Sequence, residues 1–202
     1  MKLSGQQNDK GFTLIESIIT IVAAAILATM VFTYSQTSLT KSAQPLNQSK
    51  KAMALQKVME NIFADNNKIR PAWQASHAYV SGDEVFPAAT SANNGHYYIC
   101  TKSGTSSSSE PTWPTAISAT VTDGGVTWRE GLQTKIGAEG STCNSGATTC
   151  VYGQYTVQYN RFIKFVGNVE TPLATGDPQN ILKVTIKNDL GETLTILLTK
   201  HQ

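Results

Sequence analysis

Charge is scarce in this chain, and over one stretch it almost vanishes. Asp, Glu, Lys and Arg together make up 15% of 202 residues and leave a net charge of +2. A nucleic-acid binder would show a concentrated basic face, so nucleic acid is not an expected partner. Histidine is confined to His77, His96 and His201, the last in the tail. There is no phosphate-binding glycine loop, no dinucleotide fingerprint and no paired metal-ligand motif. These absences remove the usual routes to catalysis, and the chain reads as a non-enzyme with no catalytic residue, metal or cofactor. Asp83 and Glu84 are the nearest thing to a carboxylate pair. As sequence neighbours they would point to opposite sides of an extended segment. They read better as a turn aspartate and a solvated glutamate.

Cysteine is equally sparse. None of the three shows the two-residue spacing of a zinc site. Cys143 and Cys150 bracket the short loop CNSGATTC. A bridge there would contribute about 2.5 kcal/mol by loop entropy, the alternative being two free thiols. Cys100 is left over, either buried on its strand or available for an intermolecular bridge. Disorder is excluded over most of the chain, because apolar residues and all three tryptophans are plentiful after residue 50.

The stretch without charge runs from Phe12 to Tyr34, interrupted only by Glu16. As a helix it would span about 34 Å, enough to cross a hydrocarbon core of about 30 Å. Lys2 and Lys10 precede it, which keeps the N-terminus cytoplasmic and sends the remainder outward. A secretory signal peptide, cleaved near Ala23–Ala25, is the rival reading, but this run continues well beyond the ~7–15 residues such a core needs. A carboxylate deep in a membrane costs roughly 2.5–3.5 kcal/mol, less near the interface, and persists mostly where it has a partner. Cleavage after Gly11 would create one: the amino group of Phe12, four residues from Glu16. Paired within one helix or between neighbouring helices, the two charges would favour assembly over an isolated helix.

Lys10-Gly11-Phe12-Thr13-Leu14-Ile15-Glu16 resembles the processing and methylation motif of type IV pilins and type II secretion pseudopilins. The resemblance implies cleavage by a prepilin peptidase between Gly11 and Phe12, N-methylation of Phe12, and an assembly role for Glu16. Residues 1–11 would then be a leader and residues 12–44 a transmembrane and assembly helix. The protein would sit in the inner membrane as a single-pass chain with its C-terminal domain in the periplasm. From there it would enter a pilus or pseudopilus. Its partners would be inner-membrane lipid, the peptidase and other subunits. Ala23, Ala24, Ala25 and Ala28 allow close helix approach. One departure is that residues 13–44 contain no proline or glycine, whereas many pilins carry a helix breaker there.

Residues 45–70 read as the amphipathic half of the same helix. Leu55, Val58, Met59, Ile62 and Phe63 form one apolar stripe, and Pro45 should kink the helix. The helix is predicted over residues 12–68, ended by Asn66-Asn67 and Pro71. YTVQYNRFIKFVG (155–167) reads as a strand, and 181–199 as a hairpin turning at Asn188-Asp189-Leu190-Gly191. Ile181, Val184, Ile186, Leu194, Ile196 and Leu198 would cover the helix stripe. The fold class is α+β: a long N-terminal helix on an antiparallel sheet contributed by residues 131–202, with a small β-rich insert at 71–130.

That insert holds Trp73, Trp113 and Trp128 with Tyr79, Phe86, Tyr97 and Tyr98. Trp73, Tyr79, Gly82-Asp83, Val85, Gly95, Tyr97, Pro111 and a later tryptophan resemble small chitin-binding modules of carbohydrate-binding families five and twelve, and related modules on phage tail proteins. The resemblance implies a glycan partner, with Tyr98, Trp113 and Trp128 as the candidate contacts and Trp73 and Tyr79 as framework. Against it, a domain with few strands uses its aromatics as core, and Thr101-Lys102-Ser103-Gly104 stands where such binders usually expose aromatics. Some pseudopilins bind calcium, for which the Gly-Asp-Pro turn at Asp177 is the only sequence support. Two functions follow: a minor pilin or pseudopilin-like structural subunit, or alternatively a membrane-anchored or tip-located adhesin-like protein.

Overall fold

A 53-residue helix, α1 (Leu14–Asn66), opens the fold and runs on through Pro45. The computed structural model describes residues 13–88, 94–144 and 149–199, with backbone only over 37–44. The chain divides into two units, Met1–Ser49 and Lys50–Gln202. In the first, Leu14–Gln36 is long and apolar enough to cross a membrane, and none of it is buried within the protein. Its threonine hydroxyls are satisfied locally. Thr20 donates to the Ser17 carbonyl (2.9 Å), Thr29 to Ile26 (2.8 Å) and Thr33 to Thr29 (2.8 Å). A helix that closes its own polar groups in this way is suited to lipid.

The second unit begins with the last turns of α1 and then builds the insert. Its strands are β1 (Ala78–Tyr79), β2 (Glu84–Val85), β3 (Tyr98–Lys102), β4 (Gly104–Thr105), β5 (Thr120–Asp123) and β6 (Val126–Glu130). They form a two-stranded β1–β4 ribbon and a four-stranded antiparallel sheet ordered β2-β3-β6-β5. Between the ribbon and the turn of the β5–β6 hairpin the backbone leaves no room for a side chain: a Cβ on Gly104 would lie 2.4 Å from the Gly125 carbonyl oxygen. A short helix, α2 (Leu132–Ile136), follows. Glu130 organises its start, accepting hydrogen bonds from the backbone N–H of Gln133 (3.1 Å) and Thr134 (2.8 Å) and from the Thr134 hydroxyl (2.6 Å).

The remaining strands are β7 (Thr142–Cys143), β8 (Tyr155–Val166), β9 (Val169–Pro172), β10 (Ile181–Lys187) and β11 (Thr193–Thr199). They make one five-stranded antiparallel sheet ordered β11-β10-β8-β7, with β9 also paired to β8. The main core joins Leu55, Val58, Met59 and Ile62 of α1 to Val157, Leu182, Val184, Ile186 and Leu198 of the sheet. The Cys143–Cys150 disulfide is formed, and both cysteines belong to this core. Cys100 is a buried free thiol whose Sγ–H donates to the Lys102 carbonyl at 3.2 Å. The insert has its own core of Trp73, Tyr79, Val85, Tyr98, Cys100, Trp113, Val126 and Trp128. Tyr98 packs there, while the adjacent Tyr97 faces the main core, so the two neighbours serve different cores.

Two expectations about the core need correction. Phe63 is 51% exposed and not part of the stripe. One residue past Ile62, it lies about 100° further around the helix and beyond the sheet. On the hairpin, Leu182 and not Ile181 joins Val184 and Ile186. Strand side chains alternate, and only even positions of β10 face the helix.

Candidate functional site

Glu16 lies in the first turn of α1 and is exposed among apolar neighbours: Leu14, Ile15, Ile18 and Ile19 all present large exposed side chains. Gly11 and Phe12, the predicted processing and methylation residues, lie outside the described residues.

A second concentration of charge was not visible in the sequence. Arg70, just past α1, has its side chain almost wholly buried. Its guanidinium lies 3.5 Å from the centroid of the Tyr97 ring and pairs with Asp65 (2.6 Å) and Glu84 (2.9 Å). Lys135 of α2 reaches the same carboxylates, at 3.1 Å from Asp65 and 2.7 Å from Glu84, and Lys68 adds a contact to Glu84 at 2.8 Å. The hydroxyls of Tyr97 (2.8 Å) and Tyr152 (2.5 Å) both donate to Asp65. Glu84 is therefore not the solvated glutamate expected: three cations close over it. Asp83 does behave as a turn residue, accepting from the Val80 N–H at 2.8 Å. The knot ties the end of α1 to β2, α2 and the chain at Tyr152. Its carboxylates are engaged by three cations and two hydroxyls.

Electrostatics follow from these contacts. Burial raises the Asp65 carboxyl, but hydrogen bonds from Tyr152 and Tyr97 and the charge of Lys135 outweigh it, holding the group below its ordinary 3.8. Burial acts likewise on Glu84 and is overcome by Lys135, Lys68 and Arg70, below 4.5. Beside the Asp65 carboxylate, and buried, Tyr97 and Tyr152 have hydroxyls raised above the usual tyrosine range.

The aromatic insert is a packed core. Tyr98 and Trp128 are 0% exposed and Trp113 is 9% exposed. Tyr98 stacks on Trp113 at 4.2 Å between centroids, and Trp128 meets Trp113 at 5.9 Å and Tyr79 at 4.8 Å edge-on. Their polar atoms are also satisfied internally: Tyr98 donates to the Pro114 carbonyl (2.9 Å) and Trp113 to Glu110 (2.7 Å). Trp73 and Trp128 both donate to one oxygen of Asp123, at 2.8 and 3.0 Å, while Ser107 donates twice to the other. Asp123 is held below its ordinary 3.8 because Ser107 and the two indoles overcome the effect of burial. The three candidate glycan contacts thus have their faces covered by one another. In a module this small, aromatics of this kind supply the core.

Nor do other candidates assemble a site. His96 is buried between Glu130 (3.2 Å) and Gln179 (2.8 Å). Asp177 pairs with Lys164 at 2.6 Å and accepts from the Ala174 N–H. Among the described residues no three His, Cys, Asp or Glu are grouped to hold a metal.

Acid should expose the role of the depressed carboxylates. A carboxyl with a lowered folded pKa contributes stability that is complete above its unfolded pKa and lost as pH falls through the folded value. Asp65, Glu84 and Asp123 all have this sign. The urea midpoint should be flat from neutrality to about pH 5 and fall progressively below the ordinary carboxylate range. A midpoint unchanged at pH 3 would mean that these contacts are not formed.

Residues 6–32 match the family model described as the prokaryotic N-terminal methylation motif. No curated protein and no solved structure matches the chain. The matched segment covers the predicted cleavage point, Glu16 and most of the apolar span. These observations define an N-terminal methylation motif on a long apolar helix, followed by antiparallel sheet.

Proposed function

We propose that this protein is a minor pilin or pseudopilin-like subunit of a type IV pilus or type II secretion-type filament. The observation that carries the reading is the methylation-motif match over residues 6–32 in register with the membrane-length helix Leu14–Gln36. After cleavage at Gly11, the amino group of Phe12 neutralises Glu16 of a neighbouring subunit, and α1 packs into the filament. The lysines before the span orient the domain to the periplasm. A minor role is favoured because the insert enlarges every copy that must fit the filament lattice. Against the adhesin-like alternative, Tyr98, Trp113 and Trp128 of the insert are buried.

Blocking the cut tests this directly. Gly11→Val should leave a chain eleven residues longer than the processed form, held in membranes and missing from sheared filaments. Filaments containing the uncut variant at normal levels would overturn the assignment.

A further inference from the structure

In the unit that begins at Lys50, α1 and β8 run side by side and share both ends. Where α1 enters, Lys51 pairs with Asp189, two residues past Lys187, which lies opposite Thr156 of β8. Where α1 stops, Asn66 donates to the Thr199 carbonyl at 3.5 Å. Thr199 lies opposite Ile181, and Ile181 opposite Ile163 of β8. The helix from 51 to 66 covers about 22 Å and the strand from 156 to 163 about 23 Å, so the two match in length. The two ends differ in character. At the entry end lies a recess of about 320 Å³, with Leu55 and Tyr155 in its walls and Lys51, Gln154, Lys187 and Asp189 also lining it. Asp189 pairs with Lys51, whereas Lys187 has no acidic partner among the described residues. At the far end β8 continues past Ile163. Residues 164–166 pair with 169–171 of β9, and the hairpin turns at Gly167-Asn168, about 10 Å further on. Its tip is apolar and open: Phe165, Val166 and Val169 are 46%, 60% and 66% exposed. Beside them Glu170, held by Lys183, keeps 43% of its side chain exposed.

We infer that the β8–β9 tip of one copy seats in the entry-end recess of a second copy, with both α1 helices pointing the same way. The inference rests on the filament reading above. Val166 and Val169 meet the Leu55 and Tyr155 walls, and Glu170 comes to the unpaired Lys187. Charge therefore matches as well as shape. An apolar patch that fits a recess elsewhere on the same molecule makes a heterologous contact, which does not close and so extends a filament. Parallel helices direct both N-terminal spans to the same side. The contact requires one copy to be shifted along α1 by about the length of the domain. Two copies anchored by equal spans in one membrane lack that shift, so the contact belongs to the filament. Two copies in series suffice, and the chain need not be the bulk subunit.

Cross-linking of the full-length chain, read separately in sheared filaments and in membranes, tests the contact. The probe is the double variant Gln154→Cys with Val169→Cys under mild oxidation. Within one chain these positions lie about 30 Å apart, beyond the reach of a disulfide, so a bond between them joins two copies. The double variant should give linked dimers and longer ladders in the filament fraction, and each single variant at least tenfold less. The unsubstituted chain sets the background from buried Cys100, and an intact Cys143–Cys150 bridge in each variant confirms folding. Val169→Asp should lower the chain in filaments at least fivefold at an unchanged urea midpoint, because Val169 is mostly exposed in a single copy. Filaments that hold the double variant at parental levels, with no more dimer than the single variants, would overturn the contact and leave the filament assignment standing. Absence of the unsubstituted chain from filaments would overturn both. Dimers equally abundant when Gly11→Val confines the double variant to membranes would indicate collision and overturn the contact.

Discussion

Arg70→Ala should destabilise the folded domain by about 3–5 kcal/mol, the range expected when one partner of a buried ionic group is removed and the others stay. The loss is large because Arg70 has three jobs at once. Its guanidinium pairs with Asp65 and Glu84, covers the Tyr97 ring, and donates to the backbone carbonyls of Asp65 (2.8 Å) and Lys68 (3.0 Å). Alanine leaves two mostly buried carboxylates with Lys135 and Lys68 as their only cations, and two carbonyls without this donor. Against a typical total stability of 5–15 kcal/mol, such a loss can unfold much of the population. Arg70→Lys should recover only part of it, since an ammonium cannot fork between the two carboxylates or lie flat on the ring. Urea unfolding of the detergent-solubilised full chain, followed by tryptophan fluorescence, measures both variants. A cost under 1 kcal/mol for the alanine variant would mean that the cation is solvated and the knot is not a structural joint.

Glu16→Val should act on assembly and spare stability. Removing the carboxylate relieves roughly 2.5–3.5 kcal/mol of membrane-insertion cost, so the variant stays in the membrane at least as well as the parent. It also removes the only group that can neutralise a neighbouring Phe12 amine inside an apolar stretch. If that pairing contributes a similar amount, occupancy of the filament falls by about a hundredfold. The domain beyond residue 50 should keep its urea midpoint, because Glu16 belongs to the other unit of the chain. Quantitative blotting of sheared filaments against membranes reads the ratio. Parental filament levels for this variant would refute the pairing.

These two residues also mark how far the sequence could be read. Glu16 was legible because a lone charge in an apolar run breaks a rule that depends only on local order. The α1 stripe, β8 and the hairpin of β10 and β11 were legible for the same reason: periods of 3.6 and 2 are written in neighbouring residues. The hairpin turn at Asn188 is as expected, with its side-chain oxygen accepting from the N–H of Leu190 and Glu192 at 3.0 Å. Arg70 was not legible. Its carboxylate partners come from α1 and β2, they are shared with Lys135 of α2, and no spacing rule brings Asp65 to Lys135, 70 residues on. Only its place directly before Pro71, at the end of a helix, set it apart. The aromatic residues were ambiguous, since Trp and Tyr serve a sugar platform and a miniature core equally well in sequence. In space, Asp123 accepts from the indoles of Trp73 and Trp128 at once, and all three tryptophans lie in the core of the insert. The parity slip at Ile181 shows the remaining limit: alternation gives two faces, and a hydrophobic residue on each side of the core register hides which is which.

The central claim is that this chain is processed and assembled as a filament subunit. The most direct measurement is mass spectrometry of its N-terminal peptide, taken separately from sheared surface filaments and from membranes. The account predicts N-methylated Phe12 as the first residue in the filament fraction. A chain that keeps Met1 and is found only in membranes, in cells with an active prepilin peptidase, would contradict it.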